Sequence, residues 1–261
     1  MALMTDSISP QIKNPENQSN GSDETLMSVW DHLRELRKRL FIGVVAMVIT
    51  SGLSFAFADQ IITILARPLG GIQNFLSIEV TENLSTYMRV SLLSGFIFAL
   101  PIILYELLAY ITPGLTDLEK RWVFYSIPFA VILFLIGVSF TYFVMMPTAI
   151  PFLINFLGIK TTPRPSIYID FITGMMFWVG ILFEMPLIMF VLAKIGLITA
   201  SFLLKGWRFA IVIIAVVAAV VTPTTDPINM GILMAPLLGL YFLSVALAAI
   251  AGRDPLRKPK V

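Results

Sequence analysis

Hydrophobic and polar residues occur along this chain in long blocks rather than in strict alternation. Six apolar segments, each bounded by polar or basic residues, follow a polar beginning. A run of about twenty apolar residues is long enough to cross a bilayer as a helix. The segments run from Leu40 to Ala58, Val90 to Ile111, Trp122 to Val144, Phe171 to Ala193, Phe209 to Val221 and Ile228 to Ala251. The pattern predicts an all-α membrane protein with six transmembrane helices.

The fifth segment is shorter than the others. Its helix would rise about 20 Å, against a hydrocarbon core of roughly 30 Å. Such a span requires shielding by neighbouring helices or a locally thinner bilayer. Prolines lie inside four of the other segments, at Pro101, Pro128, Pro186 and Pro236. Because proline removes a helix hydrogen bond, we expect kinks there and a concave rather than a straight arrangement.

Composition agrees with a membrane protein, since 57% of the residues are hydrophobic and 13% are charged. Residues 1–27 are polar, lack apolar runs and predict a disordered cytosolic tail. Residues 28–251 form the predicted membrane domain, and residues 252–261 form a basic cytosolic tail. The chain has no cysteine, which excludes disulfides and thiolate metal sites.

Basic residues are concentrated on one side of the predicted spans. They are Lys13, Arg34, Arg37, Lys38, Arg39, Lys120, Arg121, Lys194, Lys205, Arg208, Arg253, Arg257, Lys258 and Lys260. The other side has only Arg67, Arg89, Lys160 and Arg164. Lysine and arginine stay on the cytoplasmic side, so both termini are predicted to be cytoplasmic.

Two longer connections lie on the outer side, at residues 59–86 and 145–166. The second contains PTAIPFLINFLG, which is apolar but interrupted by prolines. We expect this piece to be an interfacial helix that caps the structure and not a seventh span.

One carboxylate, Glu184, lies within the fourth apolar segment. Lys194 follows that segment, and the rise per residue places Glu184 about 15 Å below it, near the midplane. An ionised group at that depth costs about 2.5–3.5 kcal/mol. The face with Thr173, Phe177, Gly180 and Glu184 has the small and polar residues of a helix contact. The sequence leaves two roles open for Glu184, carrying protons and binding another helix.

Two further carboxylates, Glu35 and Glu119, are predicted at the cytoplasmic surface. Residues 28–40 predict a surface helix, with Ser28 and Asp31 as a capping box. Glu35 either pairs with Arg39 one turn later or presents its carboxylate to a ligand. Glu119 either stabilises the first turn of a helix that begins near residue 117 or accepts a guanidinium group.

Several classes of site are absent from the sequence. There is no phosphate-binding G-x-x-x-x-G-K-[ST] motif and no H-E-x-x-H zinc motif. The single histidine, His32, lies outside the predicted spans, which excludes an intramembrane serine or cysteine protease. We therefore expect no nucleotide cofactor and no metal, and nothing in the sequence supports a nucleic-acid partner.

Four motifs resemble the TatC family, the multispan subunit of the twin-arginine protein translocase. They are HLRELRKRL at residues 32–40, PIILYELLAYITPGLTDLEKR at residues 101–121, FEMP at residues 183–186 and TPTTDP at residues 222–227. The last is similar to cyanobacterial and plastid members. The resemblance covers the chain from Met27 to Ala251.

The resemblance implies a receptor for twin-arginine signal peptides. Glu119 matches the acid that receives the two arginines, and Glu35 matches the N-terminal part of the same patch. Tyr110 and Pro113 match positions that shape the loop, although the family often has phenylalanine at Tyr110. The complete implied signal-peptide site is Glu35, Arg37, Leu40, Tyr110, Pro113, Glu119, Lys120 and Arg121.

The resemblance also implies partners and a location. Glu184, with Pro68 and Asp226, matches positions sensitive to single-span partners of the TatA and TatB type. The family moves folded proteins with the proton-motive force, binds no nucleotide cofactor and is not an enzyme. The resemblance also implies a homo-oligomer within a larger complex. Such a protein lies in the bacterial cytoplasmic membrane or a thylakoid membrane.

Two other functions stay open at this point. A proton-coupled solute transporter would use Glu184 as its proton carrier, although such proteins usually contain repeated halves, and none is found here. An assembly scaffold would keep the helix-contact face but would not need Glu119.

Overall fold

The computed structural model describes residues 29–111, 117–155, 158, 161–222 and 227–252. The side chains of Val29, Asp31 and residues 117–119 lie outside that description, as do Ser28, Pro113 and Asp226. The chain divides into two compact units, Met1–Lys38 and Arg39–Val261. Across the described residues the structure is helical and has no strand, which confirms the all-α prediction.

Ten α-helices follow one another through the described ranges. They are α1 (Val29–Phe55), α2 (Ala58–Leu65), α3 (Glu82–Ile111), α4 (Asp117–Phe140), α5 (Met146–Ile154), α6 (Pro165–Phe183), α7 (Met185–Lys194), α8 (Ala200–Lys205), α9 (Trp207–Val221) and α10 (Pro227–Ala251). Short 3-10 turns at Arg67–Leu69 and Ile72–Asn74 lie between α2 and α3. The first of the two longer connections, residues 59–86, therefore contains most of α2.

Five helical stretches in the described part are long and apolar enough to cross a membrane. They are His32–Phe55, Glu82–Ile111, Lys120–Ile154, Pro165–Lys194 and Pro227–Ala251. The predicted fifth span corresponds to α9, which has 15 residues and falls below that length. At about 22 Å it is shorter than the hydrocarbon core of roughly 30 Å. The count of long spans is thus five, and α9 is a shorter apolar helix.

The prolines affect the helices in two ways. The helices α3, α4 and α10 continue through Pro101, Pro128 and Pro236. At Pro186 the helix is interrupted instead, and Glu184 is the single residue between α6 and α7. Because Pro186 has no N–H to donate, the hydrogen-bond ladder of the helix is broken at this point.

The segment PTAIPFLINFLG, predicted as an interfacial helix and not a seventh span, is helical in its first part and, in the part of the chain that is described, forms no separate long apolar helix; its interfacial position stays a prediction. Its helical part is α5, which continues α4 through a π-helical turn at Thr141–Met145. Pro147 is the second residue of α5 and lies just after Met145, where the π-helical turn ends. Met146 and Ala149 are fully buried, as residues within a packed helix are.

Close helix packing in the second unit depends on small residues. The helix α6 packs against α3 and α4, and α10 packs against α7 and α9. A Cβ atom on Gly180 of α6 would lie 2.6 Å from the ring of Phe134 on α4. A Cβ atom on Gly137 would lie 3.1 Å from the Gly180 Cα atom. The predicted contact face of the fourth span is therefore used within this chain, since Gly180 packs on α4.

The second-unit part of α1 approaches α3 closely at one point. Thr50 Oγ1 donates a hydrogen bond to the Gly95 carbonyl oxygen at 2.7 Å. A Cβ atom on Gly95 would lie 2.6 Å from the Ser51 backbone nitrogen. This contact joins α1 to α3, the two helices that line the cavity described next.

Candidate functional site

A cavity of about 250 Å³ lies between α1 and α3. It is lined by Arg39, Leu40, Gly43, Val44, Met47, Ile103, Glu106, Leu107 and Tyr110. Two residues of the signal-peptide site implied by the sequence, Leu40 and Tyr110, therefore share this cavity. The lining is apolar except for Arg39, Glu106 and the Tyr110 hydroxyl group.

An ion pair crosses the cavity from one helix to the other. Arg39 Nη1 donates to Glu106 Oε2 at 2.9 Å. The Arg39 side chain is 29% exposed and the Glu106 side chain is 12% exposed. A charged pair with so little water around it is screened much less than a surface pair. Sequence analysis missed the pair, which supplies the main charges of the cavity.

Glu119 lies in the first turn of α4, because that helix begins at Asp117 as predicted. The position of its side chain lies outside the described residues. Of the two basic residues that follow, Lys120 is half-buried and Arg121 is exposed. Pro113, in the preceding loop, is also outside the described residues.

Glu35 and Arg37 both lie on α1, in the first unit. Arg37 is exposed and Glu35 is half-buried. The predicted surface helix is thus confirmed as a helix from Val29 onward. The predicted capping residue Ser28 lies outside the described residues.

Glu184 is buried at the break between α6 and α7, with 7% of the residue exposed. Within the described ranges, neither of its carboxyl oxygens has a hydrogen-bond partner. Buried polar groups are usually hydrogen-bonded, so this is an unusual environment for a carboxyl group. Thr173 and Gly180 on the same face are buried as well. The carboxyl group is therefore enclosed by its own chain.

A polar cluster that sequence analysis missed lies at the start of α3. Glu82 is 3% exposed, and its Oε2 accepts from the Ile78 backbone N–H at 2.8 Å. Its Oε1 accepts from Arg164 Nε at 2.5 Å and from Ser166 Oγ at 3.0 Å. Arg164 Nη2 also donates to Glu79 Oε1 at 2.9 Å. The hydrogen bonds that Arg164 donates to the Glu79 and Glu82 carboxylates raise the pKa of Arg164.

The remaining predicted positions contribute less to the geometry. Pro68 lies half-buried in a short 3-10 turn. Asp226 lies outside the described residues. Through the ranges that are described, no group of three or more histidine, aspartate or glutamate residues could hold a metal ion.

Comparison with known proteins identifies the family of this chain. Residues 31–236 match the family model for the Sec-independent protein translocase protein TatC. This chain belongs to the TatC family. It is a membrane component of the twin-arginine translocase, a protein-transport system.

Relatives come from bacteria and from plastids. A TatC protein of Campylobacter jejuni is 43% identical over 236 residues, which are 87% of this chain and 96% of that protein. A chloroplast TATC protein of Pisum sativum is 37% identical, over 88% of this chain and 66% of that protein. A TatC protein of Synechocystis is 31% identical, over 97% of this chain and all of that protein. Cyanobacterial and plastid TatC proteins are thus among the relatives, as the TPTTDP motif implied.

Solved structures agree with the family. Two crystal structures described as the twin-arginine translocase receptor TatC are each 36% identical to this chain. One aligns with a TM-score of 0.69 over 85% of this chain and 100% of that chain. The other, described as obtained in DDM, has a TM-score of 0.72 over 83% of this chain and 99% of that chain.

The Arg39–Glu106 and Glu82–Arg164 ion pairs had a weak signal in the sequence. Arg39 opens the first apolar segment and Glu106 lies near the end of the second. Antiparallel neighbouring spans bring these positions to the same depth, so opposite charges there are candidates for a pair. Glu82 and Arg164 similarly precede two spans on the same predicted side.

Proposed function

We propose that this TatC chain is the receptor subunit that binds the two arginines of a signal peptide at the cytoplasmic surface. Glu119 and Glu35 accept the guanidinium groups. Arg37, Leu40, Tyr110, Pro113, Lys120 and Arg121 shape the surrounding surface. A planar guanidinium group bonds a carboxylate through two parallel N–H groups, which favours arginine over lysine.

The observation that carries this proposal is the α1–α3 cavity. Leu40 and Tyr110, chosen from separate motifs, line one space together with a largely buried carboxylate, Glu106. The cavity offers apolar walls, which suit the apolar residues of a signal peptide, and one carboxylate, Glu106, that is paired with Arg39. Glu119 belongs to the first turn of α4, where the helix dipole favours the ionised carboxylate. A crystal structure at 36% identity is itself described as a receptor.

We propose that the chain moves folded proteins together with single-span proteins of the TatA and TatB type, using the proton-motive force. Glu184 is the proposed contact for a partner helix, with Pro68 and Asp226 contributing on the outer side. Its two carboxyl oxygens lack partners among the described residues, so a polar group of a partner would satisfy them. Because the carboxyl group is enclosed, docking requires α6 or α7 to shift.

We propose a topology in which α9 is a sixth, short span and both termini are cytoplasmic. The distribution of lysine and arginine supports this orientation. Residues 1–27 and 252–261 are then cytosolic tails, and residues 28–251 form the membrane domain. Two or more copies work within the complex. The role requires no catalytic residue, cofactor or nucleic acid, and the membrane is a bacterial cytoplasmic or a thylakoid membrane.

The alternative, a proton-coupled solute transporter, is not favoured. The matched family and the relatives described above are protein translocases. The buried position of Glu184 is the one observation that such a transporter would share.

Equilibrium binding tests the receptor proposal. The full chain, in lipid nanodiscs, is titrated with a fluorescent signal peptide that contains Arg-Arg or Lys-Lys. We expect the Lys-Lys peptide to bind about tenfold more weakly, because lysine lacks the planar fork. Glu119→Gln should reduce this preference, whereas the control Asp59→Asn, on the outer connection, should retain it in full. Equal affinities for the two peptides on the wild-type chain would contradict the proposal.

A further inference from the structure

The Arg39–Glu106 ion pair is more enclosed than an ion pair on a protein surface. Glu106 is 12% exposed and its carboxylate meets a guanidinium group at 2.9 Å. The space around the pair, about 250 Å³, is several times the roughly 30 Å³ of a water molecule in the liquid. The site therefore has room for a second side chain beside the pair.

The walls of this cavity strengthen any charge pair within it. Val44, Met47, Ile103 and Leu107 are apolar, so few water dipoles compete for the Glu106 carboxylate. If Arg39 left, Glu106 would be a poorly hydrated carboxylate without its counter-charge, which is unfavourable. The Glu106 carboxylate therefore favours a bound guanidinium group, whether Arg39 or a peptide supplies it.

We propose that the Arg39 side chain occupies a guanidinium-binding site on Glu106 and that an arginine of the signal peptide displaces it there. In this sense Arg39 is a placeholder. This inference rests on the receptor proposed above and adds Glu106 to its recognition site. It concerns the exchange of one guanidinium group for another at the same carboxylate.

The position of Glu106 makes the exchange feasible. It lies five residues before the end of α3 at Ile111, about 7.5 Å along the helix axis. A long arginine side chain that enters from that end can reach it. Arg39, already 29% exposed, can turn its head group toward water or lipid phosphates while its methylene stem stays on apolar surface.

The exchange also provides specificity. When arginine replaces arginine, the cavity keeps its net charge and Glu106 keeps a planar donor. A lysine that displaces Arg39 exchanges that fork for a single, strongly hydrated ammonium group. Displacement by lysine is therefore less favourable, and Glu106 would contribute to the preference for arginine.

A purely structural role of the Arg39–Glu106 pair predicts different effects of substitutions on peptide binding. If Arg39 and Glu106 only join α1 to α3, removing either partner should weaken peptide binding or leave it unchanged. If Arg39 competes with the peptide, Arg39→Gln should tighten binding while Glu106→Gln weakens it. The two roles thus predict opposite signs for the same variant.

The test is titration of the full chain in nanodiscs with Arg-Arg and Lys-Lys signal peptides. We expect Arg39→Gln to lower the Kd of the Arg-Arg peptide at least about threefold relative to Lys205→Gln, which removes the same charge from the end of α8. Glu106→Gln should raise that Kd about tenfold and reduce the preference over Lys-Lys. Arg39→Lys, a milder variant for use if Arg39→Gln does not fold, should also tighten binding.

A charge-reversed double variant separates the two roles. Arg39→Glu with Glu106→Arg restores an ion pair but places a cation where the peptide's arginine would bind, so we expect Arg-Arg binding to stay weak. Wild-type affinity in this double variant, or weaker binding by both single variants, would overturn the placeholder. If the wild-type chain does not distinguish Arg-Arg from Lys-Lys, the receptor proposal itself fails. If it does and Arg39→Gln fails to tighten binding, only this inference fails.

Discussion

Arg164 Nε donates a hydrogen bond to Glu82 Oε1 at 2.5 Å, although 82 residues separate the two along the chain. Glu82 is 3% exposed, so its carboxylate depends on this partner for its counter-charge. Since Arg164 precedes α6 and Glu82 begins α3, the contact joins the N-terminal ends of two long helices.

Replacing Arg164 should destabilise the fold. We expect Arg164→Gln to lower the free energy of unfolding by about 3 kcal/mol, because it leaves a buried carboxylate unpaired. Thermal unfolding in detergent measures the change. Arg67→Gln, at an exposed arginine in the 3-10 turn between α2 and α3, is the control and should change little. Equal midpoints for the two variants would show that the cluster does not hold these helix ends.

The contact between α6 and α4 should not tolerate a methyl group at Gly180. Gly180→Ala places a Cβ atom 2.6 Å from the Phe134 ring, so we expect a loss of about 1–3 kcal/mol. Gly174→Ala on the same helix is the matched control, because its Cβ atom would meet nothing within 4 Å. A midpoint for Gly180→Ala as high as that of Gly174→Ala would argue against close packing here.

Glu184 should destabilise the isolated chain. Its carboxyl oxygens are buried and lack partners among the described residues, so Glu184→Leu should raise the unfolding free energy by roughly 1–3 kcal/mol. Thermal unfolding of the chain without partners tests this, with the near-isosteric Glu184→Gln as control. Destabilisation by leucine would mean that the carboxyl group has a partner within the chain.

The proposed partner contact predicts a separate effect of Glu184. Glu184→Ala should weaken association with a single-span partner, measured by co-purification, and leave signal-peptide affinity within about twofold of wild type. Loss of peptide binding with unchanged partner association would overturn this assignment.

The short helix α9 should matter for transport. An insertion of seven apolar residues adds about two turns, roughly 10 Å, and keeps the face with Ile214 and Ala218 toward its neighbours. If α9 thins the bilayer locally, the lengthened chain should fold and assemble but export folded cargo poorly in membrane vesicles. Full export by the lengthened chain would contradict a role of local bilayer thinning in transport.

Local features of the fold were predictable from the sequence because each depends on a short window. Apolar runs located the long helices, and the acidic residues after the loop located the start of α4 at Asp117. The continuation of α4 into α5 was not predictable, since prolines normally indicate an end and hydropathy does not reveal a π-helical turn.

The charged contacts required the tertiary structure. Arg39 and Glu106 are 67 residues apart, and their pairing depends on the depth and rotation of two helices. Apolar periodicity constrains that rotation weakly, because the first span is apolar on nearly every face. The same limit applies to Gly180, whose partner on α4 could not be named from spacing alone.

Site-specific crosslinking at position 119 tests the receptor most directly. A photoreactive residue there is exposed to signal peptides with Arg-Arg or Lys-Lys, with the full chain in membranes. The account predicts strong labelling by the Arg-Arg peptide, competition by unlabelled Arg-Arg peptide and weak labelling by Lys-Lys. Equal labelling by both peptides, or labelling that competitor does not reduce, would contradict it.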